Sequence, residues 1–471
     1  MTFSSLIFIL LFFVVLIAVQ YLCPNDTVRN YVLLGASLLF FLWGGIGSLL
    51  LVAALSVLSW FTGLRIGEAS DESTAKRWLA IGVGVIVLAL LISRVWRLFP
   101  FAGGDAAAAR YVVPMGLAFY GLSLISYLVD VYRGTTAPEG QVTRLLLYTC
   151  LFPKAAGGPV VRYGAMRKQL AHRKLKGSAM SRGLMRFSVG LAKKTVLADS
   201  CGAAADHLLG TDVTALSQAP VLAVWFGGIF FMLQVCLDLS AYADMAIGMG
   251  DMLGFRFPEN FNYPYVARTL REFWHRWNMT VVDFFKDYLF APLGGSGKGT
   301  AMEILNLVIV WAVFGLWHGR TVNFVLWAMY CLILLLVEKL VLKDGEIMNP
   351  VVSHIWVAVT MFLGFYLYRF GSLAMLGTGL KGLLGLNGAG FVTLSVAGYL
   401  GRHLLLLLFG LMGVIPVMPL AGNMLKQASV TNRAALYVRA VWNAVGPVLL
   451  LILSVMAMVG CQVPSFLYFQ F

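Results

Sequence analysis

The feature that most constrains this chain is a succession of long apolar runs parted by short polar breaks. Residues 3–22, 31–59, 79–93, 111–129, 219–237, 304–317, 321–342, 351–368, 391–417 and 436–460 are each largely apolar. A helix needs about 20 apolar residues to cross a hydrocarbon core about 30 Å thick. Several runs reach that length, and the shorter ones suit broken or re-entrant helices. Lipid offers no partner to open backbone groups, so helices are the spanning element for such runs. The pattern predicts an all-α polytopic membrane protein of about ten to twelve membrane helices with short re-entrant or interfacial helices.

Composition supports the same class. Hydrophobic residues are 60% of the 471 and charged residues 12%, whereas soluble domains carry about 25% charged residues. The net charge of +14 reads as topology rather than nucleic-acid binding. Ten Lys/Arg and no Asp or Glu fall between Arg162 and Lys194, and cytoplasmic loops of membrane proteins carry such an excess. This stretch is expected to be cytoplasmic, a solvated loop near anionic headgroups. A sharper alternative is that some of these cations steer an anionic acyl donor.

The first run, TFSSLIFILLFFVVLIAVQYL, has no basic n-region and no small-x-small cleavage site, so it is kept as the first membrane helix rather than a signal peptide. The QYLC at its end lacks the small residues that lipoprotein processing needs. Six scattered cysteines (Cys23, Cys150, Cys201, Cys236, Cys331, Cys461) form no CxxC pair. They argue against a disulfide framework or a zinc site, and no metal ligands are singled out. The polar breaks 23–30, 67–77, 133–144 and 343–350 are too short for a soluble domain. Residues 1–471 therefore read as one membrane domain, with a core over about 111–342 and peripheral helices at 1–110 and 343–471. No internal repeat is visible, which disfavours the repeat-built secondary transporters.

Two regions carry chemistry. His318 sits between the apolar stretches NLVIVWAV (306–313) and TVNFVLWAMYCLILLL (321–336), in the segment FGLWHGR. A titratable group at that depth is either a hydrogen-bonded structural histidine or a functional one. Residues 238–300 mix aromatics, charges and glycines at a density unlike lipid-facing helix, and are expected to line a funnel or interfacial cavity. Within them 281–293 suits an amphipathic or re-entrant helix. PLGGSGKG (292–299) lacks the Walker spacing and a preceding strand, so it reads as a turn.

The blocks FNYPY, REFWHRWNMTVVDFFKDYLFAPLGG and FGLWHG, in that order, resemble the membrane-bound O-acyltransferase (MBOAT) family, and within it the bacterial alginate-acetylating branch. LISYLVDVYRG (124–134), LFPKAAGGPVVRY (151–163), GLAKKTVLAD (190–199), DLSAYADMAIGMGDMLGFRFPENFN (238–262), MTFSSLIFILLFF at the start and FLYFQF (466–471) fit that branch too.

The resemblance implies an MBOAT-type bundle around a central tunnel and an O-acyltransferase of the bacterial inner membrane. It implies transfer of an acetyl group to an exported polysaccharide such as alginate or cellulose. It implies His318 as the catalytic base, which suits an imidazole titrating near neutrality. Where the branch has a second functional histidine this chain has Asn278, which can donate a hydrogen bond but cannot act as a base. Asn278 is therefore expected to orient a substrate or stabilise an oxyanion.

His275, three residues earlier, would share a helical face with Asn278. It is read as a substitute base or as an interfacial histidine. Trp274, Trp277 and Trp317 are read as pocket walls or interfacial anchors. Asp238, Ser240, Tyr242 and Asp244 are read as cavity-lining groups or helix-end partners. Arg271 and Arg276, with Glu272, are read as ion-pair members or contacts to a donor's phosphates.

No tightly bound cofactor is expected. The donor would be acetyl-CoA or another acyl thioester, and the partners periplasmic SGNH-type or other polysaccharide acetyltransferase subunits and the lipid bilayer. D-Alanyl transfer to teichoic acid and peptidoglycan O-acetylation remain alternatives, and secondary transport is one of a different class.

Overall fold

The computed structural model describes residues 3–95, 114–319, 322–342 and 349–460, and among these every regular element is a helix. Residues 111–113, Arg320, 343–348, Cys461 and the terminal FLYFQF lie outside the described residues. The helices that organise the site are α1 (Phe8–Leu22), α2 (Asp26–Trp43), α3 (Ile46–Glu68), α4 (Glu72–Val95), α5 (Leu117–Tyr132), α6 (Val142–Cys150) and α7 (Gly177–Ala192). They continue with α8 (Asp199–Leu209), α9 (Val221–Met252), α10 (Leu270–Arg276), α11 (Met279–Phe285), α12 (Thr300–His318), α13 (Val322–Leu340) and α14 (Pro350–Arg369). The last are α15 (Leu394–Arg402), α16 (Leu404–Val414) and α17 (Arg433–Gly460).

Among the described residues seven helices are long and apolar enough to cross a membrane: α3, α4, α9, α12, α13, α14 and α17. An eighth is added if α15 and α16, bent by 54° at His403, count as one span. The remaining apolar runs form helices that are short, such as α1 and α5, or polar in their first turns, such as α2 with Asp26, Arg29 and Asn30. The run 31–59 divides because Gly44 and Gly45 interrupt it, Gly45 taking φ 106°, a conformation that favours glycine.

α9, 32 residues long, passes through both halves of the core. Its first part packs on α8, α14 and α16 within one core cluster, and its last part on α7 within the other. Lipid tails are as apolar as side chains, so close backbone approach rather than hydrophobic expulsion holds such helices together. α7 and α9 show this directly. A Cβ on Gly183 would lie 2.5 Å from the carbonyl oxygen of Gly248, and one on Gly248 would lie 2.7 Å from that of Gly183.

The basic stretch is largely helical rather than the loop expected from sequence, while Arg162, Arg167, Lys168, Lys174, Lys176 and Arg182 are exposed, as solvated charges would be. Much of it is α7 and the π-helical turn after it, Lys193–Ala198. Lys194 is 2% exposed and bridges Asp199 (2.6 Å) and Asp238 (2.7 Å). Arg182 pairs with Asp251, Arg186 with Asp244 and Glu259, Lys193 with Asp244, and Arg162 with Asp287. Arg173 is buried on Asn30 and over the Phe255 ring. For the buried Lys194 and Arg173, a low-dielectric surrounding demands such partners. The five described cysteines are free and buried.

Candidate functional site

His318 is the last residue of α12. Three residues before it, Gly315 lets α12 cross α13 closely. A Cβ there would meet the Cβ of Ala328 at 2.9 Å and the Phe324 carbonyl oxygen at 3.0 Å. The imidazole Nδ1 lies 2.8 Å from the carbonyl oxygen of Phe314. A carbonyl only accepts, so Nδ1 carries the proton and Nε2 is the basic nitrogen of the neutral ring. Aromatic rings surround the imidazole: Phe314 at 4.3 Å, Trp317 at 4.8 Å, Trp327 at 4.9 Å and Tyr368 at 6.4 Å between centroids. Trp317 is held in turn by its indole N–H, which donates to the Ala118 carbonyl at 3.0 Å.

Asn278 lines the same cavity as His318, a space of about 520 Å³ walled also by Trp277, Trp317, Trp327 and Tyr368, with Val235 and Leu239 of α9 behind. The chain reaches it through a break. α10 ends at Arg276, Trp277 is extended, and Asn278 takes φ 43° and ψ 49° before α11 begins. Asparagine enters this left-handed region more readily than most side chains. Asn278 is 2% exposed, and its Oδ1 accepts a hydrogen bond from Asn260 Nδ2 at 2.9 Å.

Two larger cavities flank this one. A charged cavity of about 1040 Å³ is lined by Arg186, Lys193, Ser240, Asp244, Glu259 and Tyr263. Trp277 and Phe261, ring to ring at 5.1 Å, stand between it and His318. An apolar cavity of about 1230 Å³ lies between α10–α11 and α12–α13, with Arg271, Trp274 and His275 on its wall. Phe314 and Trp274, 6.0 Å apart, back it against the His318 cavity.

The sequence candidates therefore separate. His318, Asn278, Trp277 and Trp317 share one cavity. Ser240 and Asp244 line the charged cavity, and Trp274, His275 and Arg271 the apolar one. Because α10 stops before Asn278, His275 and Asn278 do not share a helical face and line different cavities. Asp238 is in the buried pair with Lys194. The Tyr242 hydroxyl donates to the Pro153 carbonyl, away from His318, and the ring stacks on Phe3.

Arg276 pairs with Glu272 at 2.8 Å and donates to the Asn262 carbonyl. Partial burial would raise the Glu272 carboxyl, but the Arg268 backbone N–H and the Arg276 guanidinium hold it below its ordinary range. The sequence reading passed over Tyr368, Trp327 and Asn260. The first two sit in apolar helical runs and look like core. Asn260 lies in the family block FPENFN and was legible only as part of it.

This arrangement can take a proton from a hydroxyl at Nε2 and offer an amide N–H to a carbonyl oxygen, in a site walled by aromatic rings. Residues 140–344 match the family model for MBOAT, the membrane-bound O-acyltransferase family. The chain is 31% identical over 508 residues to the probable alginate O-acetylase AlgI of Azotobacter vinelandii, covering 100% of both chains. The chain belongs to the membrane-bound O-acyltransferase family. It is an O-acyltransferase and a multi-pass protein of the bacterial inner membrane. It is also 33% identical to the probable alginate O-acetylase AlgI of Pseudomonas aeruginosa, over 87% of this chain and 82% of that one. The peptidoglycan O-acetyltransferase of Helicobacter pylori is 27% identical over 76% of this chain and 74% of its own. This MBOAT chain thus spans 82–100% of the length of the two alginate relatives.

Proposed function

We propose that this MBOAT protein moves an acetyl group from a cytoplasmic thioester, acetyl-CoA or a carrier thioester, toward O-acetylation of an exported alginate- or cellulose-like polysaccharide. The observation that carries the reading is the Nδ1–H of His318 bound to the Phe314 carbonyl within the cavity that also holds Asn278. The acceptor hydroxyl gives its proton to Nε2 as its oxygen forms a bond to the thioester carbonyl carbon. Asn278 donates its amide N–H to the oxygen that gains charge. The tetrahedral adduct collapses, the C–S bond breaks, and the imidazolium returns the proton to the thiolate. A positioned base supplies about 10²–10⁴-fold and one oxyanion donor about 10²–10³-fold.

The basic stretch supports a cytoplasmic position for the end of α9, where Arg182 meets Asp251. The donor enters through the charged cavity, whose Ser240, Asn262 and Tyr263 suit an amide-bearing thiol arm. The acceptor hydroxyl arrives from the opposite face, on the polysaccharide itself or on a periplasmic SGNH-type or other transferase subunit that then passes the acetyl to a sugar hydroxyl. Alginate acetylation is favoured over peptidoglycan acetylation by the higher identity and fuller coverage of the alginate relatives.

The test uses purified protein in nanodiscs, labelled acetyl-CoA, and alginate with or without the periplasmic subunit. Label recovered as an alkali-labile ester on the polysaccharide supports the reading. Label accepted only from a D-alanyl thioester, or carried across a vesicle without ester formation, would replace it with the teichoic-acid or transport alternative.

A further inference from the structure

The side chain of Asn260 is fully buried, does not line the His318 cavity, and touches Asn278. Its orientation follows from groups whose donor or acceptor roles are fixed. The backbone N–H of Thr280 can only donate, and it points at Asn260 Oδ1 from 3.1 Å. The Thr280 hydroxyl accepts the Val160 backbone N–H at 2.9 Å and spends its one proton on the same Asn260 Oδ1 at 2.8 Å. Asn260 must therefore turn its amide nitrogen to Asn278, which meets it with Oδ1 at 2.9 Å. That leaves the amide nitrogen of Asn278, with two protons, as the end for the cavity.

The backbone of the segment is pinned as well. Met279 N–H donates to the Asn260 carbonyl and Asn262 N–H to the Arg276 carbonyl, both at 2.9 Å, on either side of the break.

We propose that Asn260 is the positioning residue that sets Asn278 as a hydrogen-bond donor, not an acceptor, toward the reacting carbonyl. The proposal rests on the oxyanion role given to Asn278 above. Asn260 acts through Asn278 alone, since its own polar atoms are spent on Thr280 and Asn278.

The test is a double-mutant cycle on acetyl transfer with full-length protein in nanodiscs. Asn260→Asp keeps the Thr280 bonds but presents a second acceptor to Asn278, whose amide then turns over and shows its oxygen to the cavity. The expected result is a kcat loss of about 10²–10³-fold, the size of one oxyanion donor, with donor KM within about threefold of wild type. Asn260→Ala, which buries no charge and leaves Asn278 free to take either orientation, is expected to lose less.

On an Asn278→Ala background neither Asn260 substitution costs anything further, because coupled residues are non-additive. Asn260→Ala carries the same test if the Asp variant does not fold. An equal loss on both backgrounds would show a general structural role and overturn the proposal. A normal kcat for both Asn260→Asp and Asn260→Ala alongside a slow Asn278→Ala would overturn it while leaving the oxyanion reading intact. A normal kcat for Asn278→Ala would overturn the oxyanion reading itself.

Discussion

The indole of Trp317 and the carbonyl of Ala118 lie 3.0 Å apart, joining the residue before His318 to the start of α5. This bond fixes the last turn of α12 relative to the wall formed by Ala118 and Phe119. Trp317→Phe keeps a ring and removes the donor. The Ala118 carbonyl keeps its place in the α5 ladder, so the loss is that of one hydrogen bond, about 0.5–1.5 kcal/mol. The expected outcome is a lower melting temperature in detergent and acetyl transfer reduced severalfold, read by thermal-shift and rate measurements on the same preparation.

Gly315 is where α12 and α13 touch, with backbone and Ala328 side-chain atoms within 3.0 Å of a built Cβ. Gly315→Val forces the helices apart next to His318. Overpacking of this kind costs about 1–3 kcal/mol, and acetyl transfer falls with it. Gly422, which has nothing within 4 Å of a built Cβ, is the internal control, and Gly422→Ala leaves both stability and rate unchanged or improves the former.

Lys194 pairs with both Asp238 and Asp199 in the bundle interior. Lys194→Met removes this cation from the buried Asp238 and the part-buried Asp199, and breaking a buried pair costs about 3–5 kcal/mol. Folded yield after membrane extraction is expected to drop sharply. Asp238→Asn, which leaves the Asp199 partner, is milder. Equal yields from all three proteins would show that the ion pair contributes little.

Glu272 carries a pH dependence whose sign follows from its partners. Its carboxyl is held below its ordinary range in the fold, so the stabilisation is present above the unfolded value, about 4.3, and is lost as pH falls through the folded value. The melting temperature should therefore decline on acidification below about pH 4, and Glu272→Gln should flatten that decline. The group is partly exposed, so added salt weakens the effect.

How much of this was readable beforehand depends on whether a property is local. His318 stood out because one titratable residue lay between apolar runs, and Asn278 because it replaced a histidine within a recognisable block. The apolar runs located the helices, since length and hydropathy are sums over neighbours. The break at Gly44–Gly45 and the bend at His403 depend on backbone torsion, which such sums average away.

Asp238 stayed open between a cavity-lining group and a helix-end partner because its ion-pair partner Lys194 is 44 positions distant, in a stretch that looked like solvated loop. His275 and Asn278 read as neighbours on one face because nothing in FWHRWN announces that the helix ends at Arg276. Asn260 was invisible as an individual because its role exists only through the Thr280 bonds that aim it.

The most direct measurement is the pH–rate profile of single-turnover acetyl transfer for wild type and His318→Ala, with binding of the thioester followed in parallel. A neutral Nε2 that takes the acceptor proton requires a wild-type rate that falls toward acid as the ring protonates. His318→Ala should bind thioester normally and transfer about 10²–10⁴-fold more slowly, without that acid limb. A His318→Ala rate within a few fold of wild type, with the acid limb intact, would contradict the account.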